Sequence, residues 1–461
     1  MSDATIAAVS TPRGKGGVAV LRVSGPEAFS VCERIFAPRS KRKLRECPLR
    51  YQIYGDILSS DGKSVLDDGL ATCFAAPHSF TGEDVVELSC HGGEVVTAMV
   101  LESLLESGAS LAAPGEFSRR ALMNGKLSLT AAEGIADLLD AKTKDAALLS
   151  SKTVRGKLSE EIGRLSEMLL AASASLWAYL DYPEEDLQSL SDEELVFSLE
   201  AIRDRCALLV KSFQMGRAIQ SGISSAIVGK PNVGKSSFFN RLLGEERAIV
   251  TAIPGTTRDV LEYPLHVGRV LLNLSDTAGV RRDFSDAVEQ IGIDRALAAV
   301  RESELVFALF DSSRPFEKED ELVLEALSSL EEGSVVIPVL TKKDLPQRLE
   351  LDRLPFSPEE MLSFEKDAED LSELAFRVEK VFISDEFALR EGRIITNVRQ
   401  KTNLSKCIIL LEEAIDQVLT GCKDLASLSL ESALAVLLEV DGKSAGEKIL
   451  DEVFSRFCIG K

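Results

Sequence analysis

Gly229-Lys-Pro-Asn-Val-Gly-Lys-Ser236 is the stretch that most restricts what this chain can fold into. It is a complete G-x-x-x-x-G-K-S run, it follows the strand-like Ala226-Ile-Val228, and it opens a helix. Backbone N–H groups of such a loop curl around a phosphate, and the helix N-terminus adds its positive end. Lys235 then reaches the β/γ oxygens, and the Ser236 hydroxyl faces a magnesium ion. Such a loop needs a sheet behind it, and the pattern after Gly222 supplies one. Strand-like runs at Ser225–Val228, Leu261–Val267, Val270–Ser275, Leu305–Asp311 and Val335–Leu340 alternate with helical runs. Those helices fit Ser236–Leu243, Val288–Arg301, Lys318–Leu330 and Leu371–Phe382. Alternation of this kind predicts a mostly parallel sheet in an α/β domain.

Further short motifs follow in a consistent order. Asp276-Thr-Ala-Gly279 ends a strand; its carboxylate can hold magnesium through water, and the Gly279 N–H can sense a γ-phosphate. Thr341-Lys-Lys-Asp344 ends another strand. A carboxylate there accepts two hydrogen bonds from the N1 and N2 edge of guanine, which adenine cannot supply, while Lys342 lies along the base. Threonine stands at 341 where most proteins of this type have asparagine, keeping a hydroxyl and losing an amide. Met361-Leu-Ser363 is a further strand-like run, so Ser363 is a candidate for the last base-contacting loop, with Phe364 where a small residue is usual. Together these motifs predict a GTP site. Its candidate members are Asn232, Val233, Gly234, Lys235, Ser236 and Ser237 of the phosphate loop, and Thr251, Ala252, Ile253, Pro254, Gly255, Thr256 and Thr257 of a switch loop. Asp276, Thr277, Ala278 and Gly279, then Thr341, Lys342, Lys343, Asp344 and Ser363, complete the set. Thr257 is the natural second magnesium ligand beside Ser236. Val280 occupies the position where a glutamine commonly orients the attacking water. Asp283, Asp286 and Glu289 are the candidates that remain, and Arg258 is either a finger in cis or a solvated arginine.

The flanks read differently. Residues 1–118 are mixed α/β, with β-like Val18–Val23, Leu70–Phe74 and Val85–Ser89 and a helical Val95–Ser107. From Ala131 to about Tyr182 apolar residues recur at three and four, which predicts one long amphipathic helix, and another runs from Glu193 to Met215. Helical periodicity resumes after Asn397, with Leu404, Ile408, Leu411, Ile415 and Leu419 on one face. The expected organisation is a domain at 1–118, a helical domain built from 119–220 and 383–461, and an α/β domain at 221–382 inserted between its halves. The eight cysteines are scattered without C-x-x-C spacing and there are only three histidines, so no zinc cluster is written; mostly buried, reduced thiols are expected. No signal-peptide pattern and no apolar run of spanning length are visible, which predicts a cytoplasmic chain without membrane attachment.

GKPNVGKS, TAIPGTTRDV, DTAGV and the terminal Phe457-Cys-Ile-Gly-Lys461 together resemble the tRNA-modification GTPase family MnmE (TrmE). The resemblance extends to TPRGKGGVAVLRVSG, SFTGEDVVELSCHGG and PGEFSRRALMNGKLSL near the N-terminus, and so covers essentially the whole chain. It implies an N-terminal domain that binds a 5-formyltetrahydrofolate and forms a homodimer, a discontinuous helical domain, and an inserted Ras-like P-loop G domain. It further implies GTP hydrolysis stimulated by potassium. With a flavin-dependent partner of the MnmG/GidA type, in a heterotetramer, such proteins add an aminomethyl-type group to C5 of the tRNA wobble uridine. Matched motif by motif, Asn232, Thr251, Ile253 and Thr256 would ligate potassium, Ser236 and Thr257 magnesium, and Glu289 of Val288-Glu-Gln-Ile-Gly292 would be catalytic. Arg22, Glu87, Lys126 and Lys461 would bind folate: the cations suit its anionic tail, and the glutamate suits the pterin N–H edge.

A net charge of −21 excludes a bulk basic nucleic-acid binder, so any contact with a polyanion must be local. The dense basic run is Arg39-Ser-Lys-Arg-Lys-Leu-Arg45, with Arg34 and Arg50 nearby; it is either a phosphate-contacting patch or a solvated face. Trp177 and Tyr179 read as core residues of the long helix. An Era-like ribosome-assembly GTPase, acting as an RNA-binding switch, is the alternative; such proteins usually end in a KH or basic RNA domain, whereas residues 383–461 read as acidic helix.

Overall fold

A computed structural model describes residues 4–12, 14–181, 191–244, 262–275, 300–301, 303–330, 333–365, 371–383, 385–443, 446–455 and 457–460. The chain forms two compact units, Met1–Asp140 with Ser150–Asp204 and Asn403–Lys461, and Ala141–Leu149 with Arg205–Thr402.

The first unit is built on a seven-stranded sheet in the order β3-β4-β5-β6-β2-β1-β7. Its strands are β1 (Ile6–Val9), β2 (Val18–Ser24), β3 (Phe36–Pro38), β4 (Gln52–Leu58), β5 (Val65–Phe74), β6 (Val85–His91) and β7 (Ser110–Leu111). All neighbours are antiparallel except β1 and β7. Strand periodicity sorts the faces. In β2, Ala19, Leu21 and Val23 are buried in a core shared with helices α1 (Ala28–Ile35) and α2 (Glu94–Glu106), while Val20 and Arg22 point the other way. β5 starts five residues before the strand-like run seen in the sequence, because Val65–Phe74 pairs along the length of β4.

The helical part is more broken than its periodicity predicts. The expected helix from Ala131 to Tyr182 is three helices: α4 (Leu129–Asp140), α5 (Lys144–Val154) and α6 (Lys157–Asp181), preceded by α3 (Glu116–Met123). The Thr143 hydroxyl accepts from the Ala146 N–H at 2.8 Å and so starts α5 afresh. Gly156, at φ +82°, turns the chain out of α5, a conformation an L side chain resists. The run expected at 193–215 likewise divides at Ser212 into α7 (Asp192–Lys211) and α8 (Phe213–Gln220).

The buried stripe of α6 runs through Leu158, Ile162, Leu165, Leu169, Ala172 and Leu176. Trp177 and Tyr179 lie off that stripe and are 38% and 44% exposed, so neither is a core residue as their spacing had suggested. The Trp177 indole N–H instead donates to Glu431 at 3.1 Å, and the Lys423 ammonium sits 3.8 Å from the Tyr179 ring centroid.

The second unit carries a six-stranded sheet in the order β13-β12-β11-β8-β10-β9. Its strands are β8 (Ile223–Gly229), β9 (Glu262–Val267), β10 (Val270–Ser275), β11 (Leu305–Asp311), β12 (Val335–Thr341) and β13 (Leu362–Phe364). Every neighbouring pair is parallel except β9 with β10. Central β11 reads Leu-Val-Phe-Ala-Leu-Phe-Asp and is buried throughout, as a strand covered on both faces must be. Helices α9 (Lys235–Gly244), α10 (Lys318–Ser328) and α11 (Ser372–Phe382) pack on the sheet, and α12 (Glu386–Glu391) follows. The helix expected at 288–301 lies outside the described residues except for its last two positions. Three more helices, α13 (Val398–Leu419), α14 (Lys423–Val440) and α15 (Glu447–Ser455), end the chain. No helix among the described residues is long and apolar enough to cross a membrane. Six cysteines are buried, Cys422 and Cys458 are exposed, and none of the eight is in a disulfide.

Candidate functional site

β8 carries the chain into the phosphate loop, and α9 starts at Lys235. Asn232 at φ +60° and Gly234 at φ +111° give the loop its reversed curvature, around a Val233 side chain that is fully buried. The Lys235 ammonium lies inside the loop, donating to the carbonyls of Gly229 at 2.7 Å and Lys230 at 3.0 Å. Burial lowers its pKa from the ordinary lysine value. A phosphate entering the loop would offer this ammonium charged acceptors in place of neutral carbonyls. Ser236 is exposed in the first turn of α9 and Ser237 is half-buried beside it. β10 runs parallel to β8, so Ser275, the residue before Asp276, ends at the sheet edge that carries the phosphate loop.

The base-side motif is tied to that loop by two residues. Thr341 ends β12, and its buried hydroxyl donates to the Val233 carbonyl at 2.7 Å. The hydroxyl that threonine keeps therefore links the two loops. Lys342, at φ +58°, donates to the Asn232 carbonyl at 2.8 Å and to Asp311 at 2.6 Å. Burial pushes the Asp311 carboxyl up, but hydrogen bonds from Lys342 and Ser313 outweigh it and hold the group below its ordinary value. Lys343 donates to the Ser363 hydroxyl at 2.6 Å, and β13 pairs Phe364 with Thr341, which brings the last predicted loop beside the base motif. Phe364 is buried edge-on against Phe238, ring centroids 5.0 Å apart, and so supports α9 from below. The Asp344 carboxylate is exposed at the end of this assembly.

One member of the site carried no signal of its own. Lys230 reads as a free position of the motif, yet its side chain is 3% exposed and donates to Asp320 at 2.8 Å and Glu317 at 2.9 Å. Burial pushes the Lys230 ammonium down, but these two carboxylates outweigh it and raise its pKa. Asp320 is fully buried and also accepts from the Glu317 N–H at 3.0 Å, closing the first turn of α10. Glu317 and Asp320, three apart before an apolar helix, are the trace of this arrangement in the sequence.

In the first unit, Arg22 and Glu87 are directly opposed across β2 and β6 and form an ion pair at 2.8 Å. The Arg22 guanidinium lies 5.2 Å from the Phe80 ring centroid and 5.7 Å from that of Phe117. Thr81 and Glu83 of the same loop bond Ser24, and Arg120 of α3 bonds Glu83. Lys126 is exposed and passes close to Gly82. At the other end of the chain, Ile459 bridges Pro114, and the Gly460 carbonyl accepts from the Ser10 hydroxyl at 3.0 Å. Residues from the three N-terminal motifs and from the C-terminal tail thus meet around one face of the sheet.

A family model described as "MnmE helical domain" matches residues 129–458, and one described as "GTP-binding protein TrmE N-terminus" matches residues 5–126. The chain belongs to the MnmE family. A tRNA modification GTPase MnmE from Acetivibrio thermocellus is 36% identical over 458 residues, 99% of each chain. One from Heliobacterium modesticaldum is 38% identical over 467 residues, again covering 99% of each, and one from Geobacter sulfurreducens is 37% identical over 460 residues. Of the residues matched to MnmE motifs, Thr251–Thr257, Asp276–Gly279, Glu289 and Lys461 lie outside the described residues, as do Arg258, Asp283 and Asp286.

Proposed function

We propose that this chain is a GTP hydrolase that, with a flavin-dependent partner, supports modification of the tRNA wobble uridine at C5 using a tetrahydrofolate one-carbon unit. One observation carries the reading: phosphate and base loops are tied together by Thr341 and Lys342 in a chain alignable end to end with tRNA modification GTPases. In this reading residues 1–118 bind folate and form the homodimer, 119–220 and 383–461 make one helical domain, and 221–382 is the G domain. The chain works in the cytoplasm, in a heterotetramer with an MnmG/GidA-type protein.

The roles follow from chemistry. The phosphate loop binds the β-phosphate on backbone N–H groups, and Lys235 neutralises charge on the β/γ oxygens. Asp344 selects guanine, with Ser363 beside it. The exposed Ser236 hydroxyl at the start of α9 suits a magnesium ion shared with Thr257, which would neutralise phosphate charge. Asn232, exposed and turned by its positive φ at the loop crest, suits a potassium ligand together with Thr251, Ile253 and Thr256. Glu289 orients the attacking water. The Arg22–Glu87 pair, flanked by Phe80, offers a cation, a carboxylate and an aromatic face to a planar heterocycle with an anionic tail; Lys126 and Lys461 add charge for that tail.

Mass spectrometry of tRNA nucleosides from cells lacking this protein should show the wobble C5 modification gone. A normal profile would overturn the reading and favour the Era-like alternative. GTP turnover of the purified protein should be at least several-fold faster in potassium chloride than in sodium chloride. In the same assay Glu289→Ala should retain GTP binding and lose about 100-fold in rate, the usual scale for removing a group that assists proton transfer. Equal rates in the two salts would remove the potassium ligands, and an active alanine variant would remove Glu289.

A further inference from the structure

Residues 34–50 hold seven basic side chains and one acidic one, in a chain whose net charge is −21. The structure divides those seven into two groups. Four are committed to the scaffold: Arg34 donates to the Ser107 carbonyl at 2.6 Å, Arg39 to Asp56 at 2.6 Å and Arg50 to the His78 carbonyl at 3.3 Å, while Arg45 lies over Phe29. The other three, Lys41, Arg42 and Lys43, are consecutive, exposed and without an ion pair among the described residues.

The loop that presents them is pinned at both ends. Lys41 closes a turn on the Pro38 carbonyl at 2.9 Å, Leu44 is fully buried, and the Arg50 N–H donates to the Cys73 carbonyl at 2.9 Å. Lys41 and Arg50 have φ of +60° and +63°. Among the described residues the other non-glycines with positive φ are Asn232 and Lys342, both in the nucleotide site. Such backbone costs energy and persists where the surroundings over-determine it. Two exposed tyrosines follow the loop in the chain. Tyr51 is 68% exposed, and Tyr54 is 51% exposed with the Arg39 guanidinium 5.8 Å from its ring centroid. Of the acidic groups around the loop, Asp56 is engaged by Arg39 and Asp68 by the Tyr54 hydroxyl at 2.9 Å, while Glu46 accepts from the Lys43 N–H at 3.3 Å and Glu33 from the Arg45 N–H at 3.1 Å.

Free cations and exposed aromatic rings presented by one short segment suit a phosphate backbone with unstacked bases; an acidic peptide would use the charges and leave the tyrosines idle. We propose that the loop of residues 38–50, with Tyr51 and Tyr54, is this chain's own tRNA-contacting surface. Lys41, Arg42 and Lys43 take phosphates, and Tyr51 stacks an unpaired base. The inference rests on the tRNA reading above and goes beyond it, because no motif of the family resemblance includes these residues.

The test measures binding of an unmodified tRNA transcript to the full-length protein from 50 to 200 mM potassium chloride. The K41E/R42E/K43E variant should bind at least tenfold more weakly at 100 mM salt. Its log–log salt slope should be shallower by about two to three, one for each phosphate no longer neutralised. Tyr51→Ala should weaken binding about tenfold with the slope unchanged, as loss of one stacked base predicts. Circular dichroism and thermal transitions should match wild type in both variants, which verifies that the unit carrying the substitutions is folded, and GTP turnover should be unaltered. Unchanged tRNA affinity and slope in the triple variant would overturn the proposal. So would wild-type protein that binds no tRNA at 50 mM salt, or a triple variant whose only loss, by light scattering, is assembly with itself or with a protein partner. Wobble-uridine analysis of cells lacking the protein is independent of all three results, so the function can survive the failure of this surface.

Discussion

Lys230→Met should lower the stability of the nucleotide-binding unit by about 3–5 kcal/mol, the usual cost of leaving a buried charge without its partner. The substitution removes the cation that faces Asp320, whose carboxylate has no solvent exposure and whose Oδ1 has no hydrogen-bond partner among the described atoms. Methionine fills the space of the lysine stem but gives that carboxylate nothing to bond. The loss should show in the calorimetric transition that moves with added GDP. Asp320→Asn added to Lys230→Met should restore more than half of it, because the amide oxygen still accepts from Glu317 and the stranded charge is gone. A single variant as stable as wild type would show that the pair contributes nothing net. The same variant should bind GTP more weakly, since the Lys230 carbonyl is one of the two acceptors that hold the Lys235 ammonium.

Asp344→Asn should weaken GTP binding by at least about 100-fold and improve binding of xanthosine triphosphate. The carboxylate accepts from N1–H and N2–H of guanine, and hydrogen bonds to a charged group contribute about 1.5–3 kcal/mol each. An asparagine oxygen accepts one of these, while its amide N–H opposes the other donor. Xanthine presents a carbonyl at C2 instead, which that amide can satisfy. Competition of GTP and xanthosine triphosphate against a fluorescent guanine nucleotide measures the switch. The loop should stay in place, because it is held by the Leu345 N–H on the Lys342 carbonyl and by Lys342 and Thr341 on the phosphate loop. Unchanged preference would mean that Asp344 does not read the base.

Some features of the nucleotide unit were legible because they are local. Backbone curvature at 229–236 depends on residue types within eight positions, and the strands around it follow from runs of β-branched and aromatic residues. Thr341 was legible only in part. Its type signalled a departure from the usual asparagine, whereas its hydroxyl bond to the Val233 carbonyl spans 108 residues. Helix periodicity misled at Ala131–Tyr182, because a heptad-like pattern survives a short break: Thr143 and Gly156 interrupt the helix without shifting the apolar register enough to show. The same smoothing placed Trp177 in the core, one residue past the Leu176 position that is actually buried.

By itself, then, the amino-acid sequence determined the class of loop, the guanine-type motif, the α/β pattern around them and the family. Each is encoded by neighbours along the chain, so short-range sterics and hydrogen bonding suffice. The tertiary structure alone decided which charges meet. Arg22 opposes Glu87 because β2 and β6 align in one register, and a slip of one residue would turn each to the other face. Lys230 reaches Asp320 across 90 residues because β8 and β11 are neighbours and α10 follows β11 back to the phosphate loop. Among the described residues Lys41, Arg42 and Lys43 have no ion pair while four nearby arginines are engaged, a distinction made by the scaffold atoms within reach of each guanidinium.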